Sequence, residues 1–500
     1  MTPTLNLAHD PWIEATAPDG APQLLSLRDA LCAPEATAAL GGQPPVAAAV
    51  TRLLLAVLRY ALGHGEITPD RWDAWWDRGL PAEEISDYLD RHAARFDLHG
   101  DTPFMQDPAL DLAESVGGGW KSPGELRADL STGNNATVYT HCSDLGGWAP
   151  PAMTLPEAAQ WLIATQAFIR PGIFPGITTP RVSARSGLLL GRLVLIPTGP
   201  TLRHTLLLSL PLGARSSADL PVWHRRDRPV IAAPVPGPVS YLTWQARHIL
   251  LAPPDGDGLI RAVKVAAHRD YDTLVPRDQQ AAYDPHLLFT ASEKVPDGWV
   301  ITAYDPARSL WRDAAMIAAY AGGSSVLDRA RTARGVPVEI EAYGLAVQST
   351  AKYVDWIRTS VPVPRDPDAL AYARQCAELT ERAADAVRRA ALFYLINVGS
   401  LSPVAPVKAK ASAAASAMRP FWDALDTPAA VLARNLDDAA GPEARAALAE
   451  GWAEHALAAA IGALKTLSAP QGPTQKSAAA HGGALRVLAN NLTPPEGDTA

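Results

Sequence analysis

The sequence predicts an α+β protein: a mixed α/β N-terminal domain over residues 1–362, followed by a C-terminal helical bundle over 363–500. Three observations carry this. Short strand patterns and helical periodicities alternate as far as Pro362-Val363-Pro364, and strand signals stop beyond it. Tyr372, Cys376, Leu379, Ala383, Val387, Ala390 and Tyr394 then recur at steps of three or four, the seam of a long amphipathic helix. A chain of 500 residues also exceeds what one ordinary core holds.

Taken in order, Leu5, Leu7, Trp12 and Ile13, the turn Pro18-Asp19-Gly20 and Leu24 to Leu27 predict a small hairpin. A core helix begins near Pro45, with Val46, Val50, Leu53, Leu54, Val57, Leu58 and Leu62 on one stripe. Trp72, Trp75, Trp76 and Tyr88 continue a helical, aromatic-rich stretch to Arg95. From Phe96 to Gly147 there is only Pro/Gly punctuation, the kind of long irregular stretch that carries function. Thr154 and Glu157 form a capping-box signature at the head of TLPEAAQWLIATQAFI, and irregular chain follows from Arg170 to Gly191. Leu193 to Ile196, Thr205 to Leu208 and Leu242 to Trp244 are expected as strands, and Ala314, Ile317 and Ala318 as part of a helix. Beyond the Pro-rich step, helices are expected at about 411–424, 428–438, 441–466 and 478–490, with short breaks that favour antiparallel packing.

Composition narrows the function classes. The hydrophobic fraction of 48% with 19% charged residues excludes disorder as the dominant state. The three cysteines, Cys32, Cys142 and Cys376, form no CxxC pair, so a reduced, cytoplasmic setting is expected and no cysteine-based zinc ribbon is available. The N-terminus has no signal-peptide pattern, and greasy runs such as Thr205 to Leu212 fall short of the roughly 20 residues that cross a bilayer, so no membrane partner is expected. A net charge of -8 argues against coating nucleic acid by charge alone. It hides a gradient: net -13 over residues 1–169, +6 over 170–360 and -1 over 361–500. The middle third is the segment able to present a basic face.

Catalytic motifs are missing: there is no GxxxxGK[ST], GxGxxG, HExxH or GxSxG, and Gly256-Asp257-Gly258 fails at Arg261. Asp97, His99 and Asp101 would chelate a cation only from one strand face. With Gly100 and Pro103 inside it, FDLHGDTPFMQ reads instead as a turn seating Phe104 and Met105 in the core.

Several segments in order resemble one family. LNLAHDPWIEA with LLSLRDAL, FDLHGDTPFMQ, STGNNATVYTH, LPEAAQWLIATQAF followed by PGI, TLRHTLLLSLP, YLTWQARHI, DPARSLWR and AYAGGSSVLDRAR are similar to the CasA family, the large subunits of type I-E CRISPR Cascade surveillance complexes. The resemblance runs from about Leu5 to Arg331 and continues weakly through the helical end. It implies a C-terminal four-helix bundle and a subunit that is not an enzyme and needs no cofactor. It implies binding to the CRISPR RNA 5′ region and to other Cascade subunits. It also implies recognition of the protospacer-adjacent motif of double-stranded target DNA through the minor groove, with help in unwinding, and recruitment of the helicase-nuclease effector.

Carried over residue by residue, the family's first long loop is Ser131 to His141, where Gly133, Asn134, Asn135 and Thr137 offer amide and hydroxyl groups to backbone and base edges. The family's wedge tip falls on Gly322, Gly323, Ser324 and Ser325, without the family's glutamine; glycine still lets the backbone approach closely. The lysine that the family sends into the minor groove is matched by Lys264 or by Arg261. A glycine-rich loop near the groove falls on Arg181 to Gly187, with Arg181 and Arg185 as phosphate contacts. Cys142 alone supplies no zinc site of the kind some members carry. Two other readings stay open at this level: a cytoplasmic hydrolase with its site in the 97–147 region, and a purely structural scaffold.

Overall fold

The computed structural model describes residues 4–63, 65–112, 119–128, 152–177, 179–225, 235–268, 276–291, 298–304, 338–348, 352–361, 366–472 and 474–492. These divide into two compact units, one reaching Ser360 and the other running on from Val361.

The first unit opens with the expected hairpin. Strands β1 (Ile13–Thr16) and β2 (Pro22–Leu25) pair antiparallel around a turn in which Gly20 has φ 87°, and β3 (Ala39–Leu40) adds on the other side of β1. Helix α1 (Leu27–Cys32) starts from a Ser26–Asp29 capping box. Helix α2 (Pro44–Ala61) is the core helix: Pro44 and Tyr60 apart, every residue is buried. It is long and apolar enough to span a bilayer, a reach the short-run reading missed, but 89% of it lies inside the fold. Trp72, Trp75 and Trp76 on α3 (Pro69–Arg78), and Tyr88 on α4 (Ala82–Arg91), bury the aromatic stretch.

Between the single turn α5 (Ala109–Leu112) and the capped helix α6 (Leu155–Phe168), the described residues Lys121 and Met153 bridge to Val263 and Ile260. Two expected strands are helical. Thr205 to Leu208 lie in α7 (Leu202–Ser209), because a continuous apolar run buried on every side fits either period and here closes a helix. Leu242 ends α8 (Pro238–Leu242), whose first turn is held by the fully buried Asp219 carboxylate, which accepts from Val239 N at 3.1 Å and Ser240 N at 2.7 Å. The strand expected at Leu193 is β6 (Val194–Thr198). It pairs antiparallel with β11 (Glu339–Gln348), and β11 is flanked by β12 (Lys352–Val361); neither of these two was anticipated. Strand pairs β4 (Gly172–Phe174) with β5 (Val182–Ala184), β7 (Arg247–Leu251) with β8 (Val263–Ala267), and β9 (Phe289–Ala291) with β10 (Trp299–Ile301) complete the described part of the unit.

One buried ion pair knits these pieces. Arg52 on α2 meets Asp284 in a bidentate pair at 2.8 and 2.9 Å. Asp284, which follows α9 (Arg277–Tyr283), also accepts from Tyr241 Oη at 2.7 Å and from the backbone N–H groups of His286 and Leu287 at 2.8 and 2.9 Å. Burial alone would push the Asp284 carboxyl up, but Arg52 outweighs it, with His286 and Tyr241 helping, and holds the group below its usual range. Neighbouring His286 is also lowered, to about 3, by burial reinforced by Arg52, which keeps it neutral where Asp284 is charged.

The second unit is a four-helix bundle of α10 (Pro367–Val398), α11 (Val407–Asp438), α12 (Pro442–Ser468) and α13 (Gln475–Leu492). The two helices expected at 411–424 and 428–438 are one, despite Pro420 and Pro428 inside it. Phe421 and Leu425, both fully buried, carry the apolar seam past the prolines, so packing outweighs the lost backbone hydrogen bonds. Val387, Ala390, Trp452, Ala460 and Ala484 share the core, and Trp452 Nε1 donates to Thr380 Oγ1 at 2.8 Å.

Two outcomes follow. Arg52→Met leaves the Asp284 charge buried without its partner and should cost about 3–5 kcal/mol in denaturant unfolding, part of it recovered when Asp284→Asn is added, which removes the charge and keeps an acceptor for Tyr241 and the backbone N–H groups. A loss below about 1 kcal/mol would show the pair to be dispensable. His286 stays neutral in the fold while the unfolded chain binds its proton below about pH 6.5. Stability should therefore fall with pH from there toward the folded value of about 3, by up to ~1.4 kcal/mol per pH unit for this group. His286→Gln should flatten the slope by that amount between pH 6 and about 4.

Candidate nucleic-acid interface

The described part of the expected interface is built on two neighbouring strand pairs. The first is β4 (Gly172–Phe174) with β5 (Val182–Ala184), which follows directly on α6. Its base is gripped by Arg247, a guanidinium only 1% exposed. Arg247 donates to the carbonyls of Arg170 at 2.9 Å, Arg185 at 2.7 Å and Ala246 at 2.7 Å, and lies 4.4 Å from the Phe174 ring centroid. The Gln166 side chain holds the backbone of Arg247 from both sides, at 3.0 Å each. Gly187 closes the base: a Cβ there would meet Ala167 O at 2.4 Å, so only glycine fits. The hairpin is thus fixed from inside, while the side chains of Arg181 and Arg185 are exposed at the ends of β5.

The second pair is β7 (Arg247–Leu251) with β8 (Val263–Ala267), beside the first through Ala267 N donating to Pro175 O at 2.7 Å. The turn read from FDLHGDTPFMQ docks here. Phe104 and Met105 are buried, Gln106 donates to Leu98 O and accepts from Leu251 N, and the Asp107 carboxylate faces His248 Nδ1 at 2.7 Å. Asp97 accepts from Asn6 Nδ2 at 2.5 Å and His99 Nε2 lies 3.2 Å from Ala252 O. Among the described residues no three His, Cys, Asp or Glu side chains converge to hold a metal ion.

Lys264 projects from β8 but is only 8% exposed. Its Nζ donates to Leu110 O and Asp111 Oδ1, each at 3.2 Å, and lies 4.7 Å from the Trp120 ring centroid. Arg261, in the β7–β8 connection, is more exposed, but its Nε is paired with Asp255 and its NH2 lies 3.5 Å from Asp257. Backbone donation from Leu259, then the bond from Arg261, holds the Asp255 carboxyl below its usual range.

The structure therefore brings Arg181, Arg185 and Lys264 onto adjoining strand pairs and leaves Arg261 in its own acidic pocket. Gly133, Asn134, Asn135, Thr137, Gly322, Gly323 and Ser324, and the helix expected around Ala314, lie outside the described residues. Sequence reading missed Arg247, Asp111 and Trp120. The signal for the last was an aromatic next to Lys121 in a Gly-rich stretch; Arg247 carried none.

Comparison with known proteins bears on this arrangement. The family model of CRISPR-associated protein Cse1 matches residues 6–463. A Thermus thermophilus protein described as CRISPR-associated protein CasA/Cse1 is 29% identical over 380 residues, covering 72% of this chain and 71% of that protein. A solved structure of Thermus thermophilus CasA (Cse1) superposes with a TM-score of 0.77 at 23% identity, over 98% of this chain and 99% of the other. A chain of a structure described as a CRISPR RNA-guided surveillance complex gives 0.77 at 19% identity, over 98% and 100%. With a family match spanning residues 6–463, the chain belongs to the CRISPR-associated Cse1 family.

Proposed function

We propose that this chain is the large subunit of a type I-E CRISPR RNA-guided surveillance complex. In this reading it is a non-catalytic subunit that holds the 5′ part of the CRISPR RNA and recognises the protospacer-adjacent motif of duplex DNA through the minor groove. It then promotes unwinding and recruits the helicase-nuclease. Family membership supports the assembly, and the observation that carries DNA contact is the grouping of Arg181, Arg185 and Lys264 on adjoining strand pairs of a chain with net charge -8. A subunit that inspects a few base pairs while its partners hold the polymer needs only such a local basic face.

The roles divide by exposure. Arg181 and Arg185 act on phosphates, which position without reading sequence. Lys264 exchanges Asp111 and the Leu110 carbonyl for acceptors on the groove floor, whose pattern is degenerate between A·T and T·A, so motif preference is relaxed. Arg261 is the reserve cation. The loop carrying Gly133, Asn134, Asn135 and Thr137 and the tip carrying Gly322, Gly323 and Ser324 complete the contact.

A complex reconstituted without this chain should keep its RNA and lose motif-dependent capture of duplex DNA in a gel-shift assay; undiminished discrimination would refute the reading. Within the full complex, Lys264→Ala should weaken target binding about tenfold, or ~1.4 kcal/mol, with assembly intact. Arg181→Ala and Arg185→Ala should each weaken binding to all sequences alike and reduce the salt slope by about one.

A further inference from the structure

Trp120 is a large apolar side chain left 44% exposed beside a paired strand edge. The next residue, Lys121, exchanges both backbone hydrogen bonds with Val263, at 2.9 Å each way, so the indole sits at the edge of β8. Lys264 lies against this ring and is itself 8% exposed, so the aromatic surface left to solvent belongs to a ring already polarised by a cation. Asp111, the carboxylate paired with that ammonium among the described residues, is itself 66% exposed. Gly119, on the other flank, has open space among the described residues where a side chain would be.

An aromatic surface fixed by backbone pairing beside cations matches the chemistry of an unpaired nucleobase, whose π-face stacks on an indole whatever its identity. A paired base inside a duplex offers no such face. We infer that Trp120 is a stacking platform for a target-DNA base displaced beside the motif, backed by Lys264. This rests on the proposed function, and it adds a side chain that holds a strand apart where the residues matched to the family's wedge offer none.

The test uses the full reconstituted complex with wild-type, Trp120→Phe and Trp120→Ala chains, and duplex targets carrying 2-aminopurine at successive positions flanking the motif. The Ala variant should bind duplex on the order of tenfold more weakly and lose the stacking-dependent quenching of 2-aminopurine at one position. The Phe variant should retain most of both, and RNA retention and subunit assembly should be unchanged. Wild-type affinity and quenching in the Ala variant would overturn the stacking role, provided the complex lacking the whole chain loses motif discrimination. If that complex still discriminates, the proposed function itself fails. Loss of RNA retention or of assembly in the Ala variant would also overturn the inference, by assigning Trp120 to an RNA or protein contact.

Discussion

The first unit is organised around a charge that has nowhere else to go. The Asp284 side chain is fully buried, and it is held ionised chiefly by Arg52, which reaches it from the buried core helix α2. Every remaining lone pair is directed: Tyr241 fixes α8, and the N–H groups of His286 and Leu287 fix the entry to β9. Because His286 O in turn accepts from Leu195 N at 2.8 Å, the register of β6 is tied to the same point. Such a pair adds little net stability over apolar residues of equal volume, but it penalises any arrangement that separates its members.

From that frame the surface follows by short steps. Helix α6 packs on α2 and places Gln166, Gln166 holds Arg247, and Arg247 grips the carbonyls on which β4–β5 rests. The exposed cations at the ends of β5 are thus held by a chain of buried polar groups, each satisfied by the next. Under the proposed function, preorganisation of this kind matters more than total charge does, since it removes the ordering cost from binding. Of the carboxylates on these strand pairs' cations, Asp111 sits against Lys264, and Asp255 and Asp257 both sit against Arg261.

Periodicity revealed what repeats. The helix from Pro44, the capping box at Thr154 and the long seam from Tyr372 were legible because many residues obey one spacing. The run at Thr205 and the break at Pro428 were misread because burial on all sides erases the period, and because the Phe421–Leu425 seam overrides a proline. Strand β11 escaped because its partner β6 lies more than a hundred residues earlier, so no local pattern announces that pairing, and β12 is placed by β11 in turn. Of the interface, the arginines of β5 were visible as charge, whereas the shielding of Lys264 by Trp120 and Asp111 is a product of tertiary contacts among three separate segments.

The central claim is that the adjoining strand pairs β4–β5 and β7–β8 face the target DNA. Photo-crosslinking of the assembled complex to motif-bearing duplex, followed by mass spectrometric assignment, tests it most directly. The account predicts crosslinks concentrated at residues 119–121, 181–185 and 264, and dependent on the motif. Motif-dependent crosslinks confined to other surfaces, such as α10 to α13, with none on these strands, would contradict it.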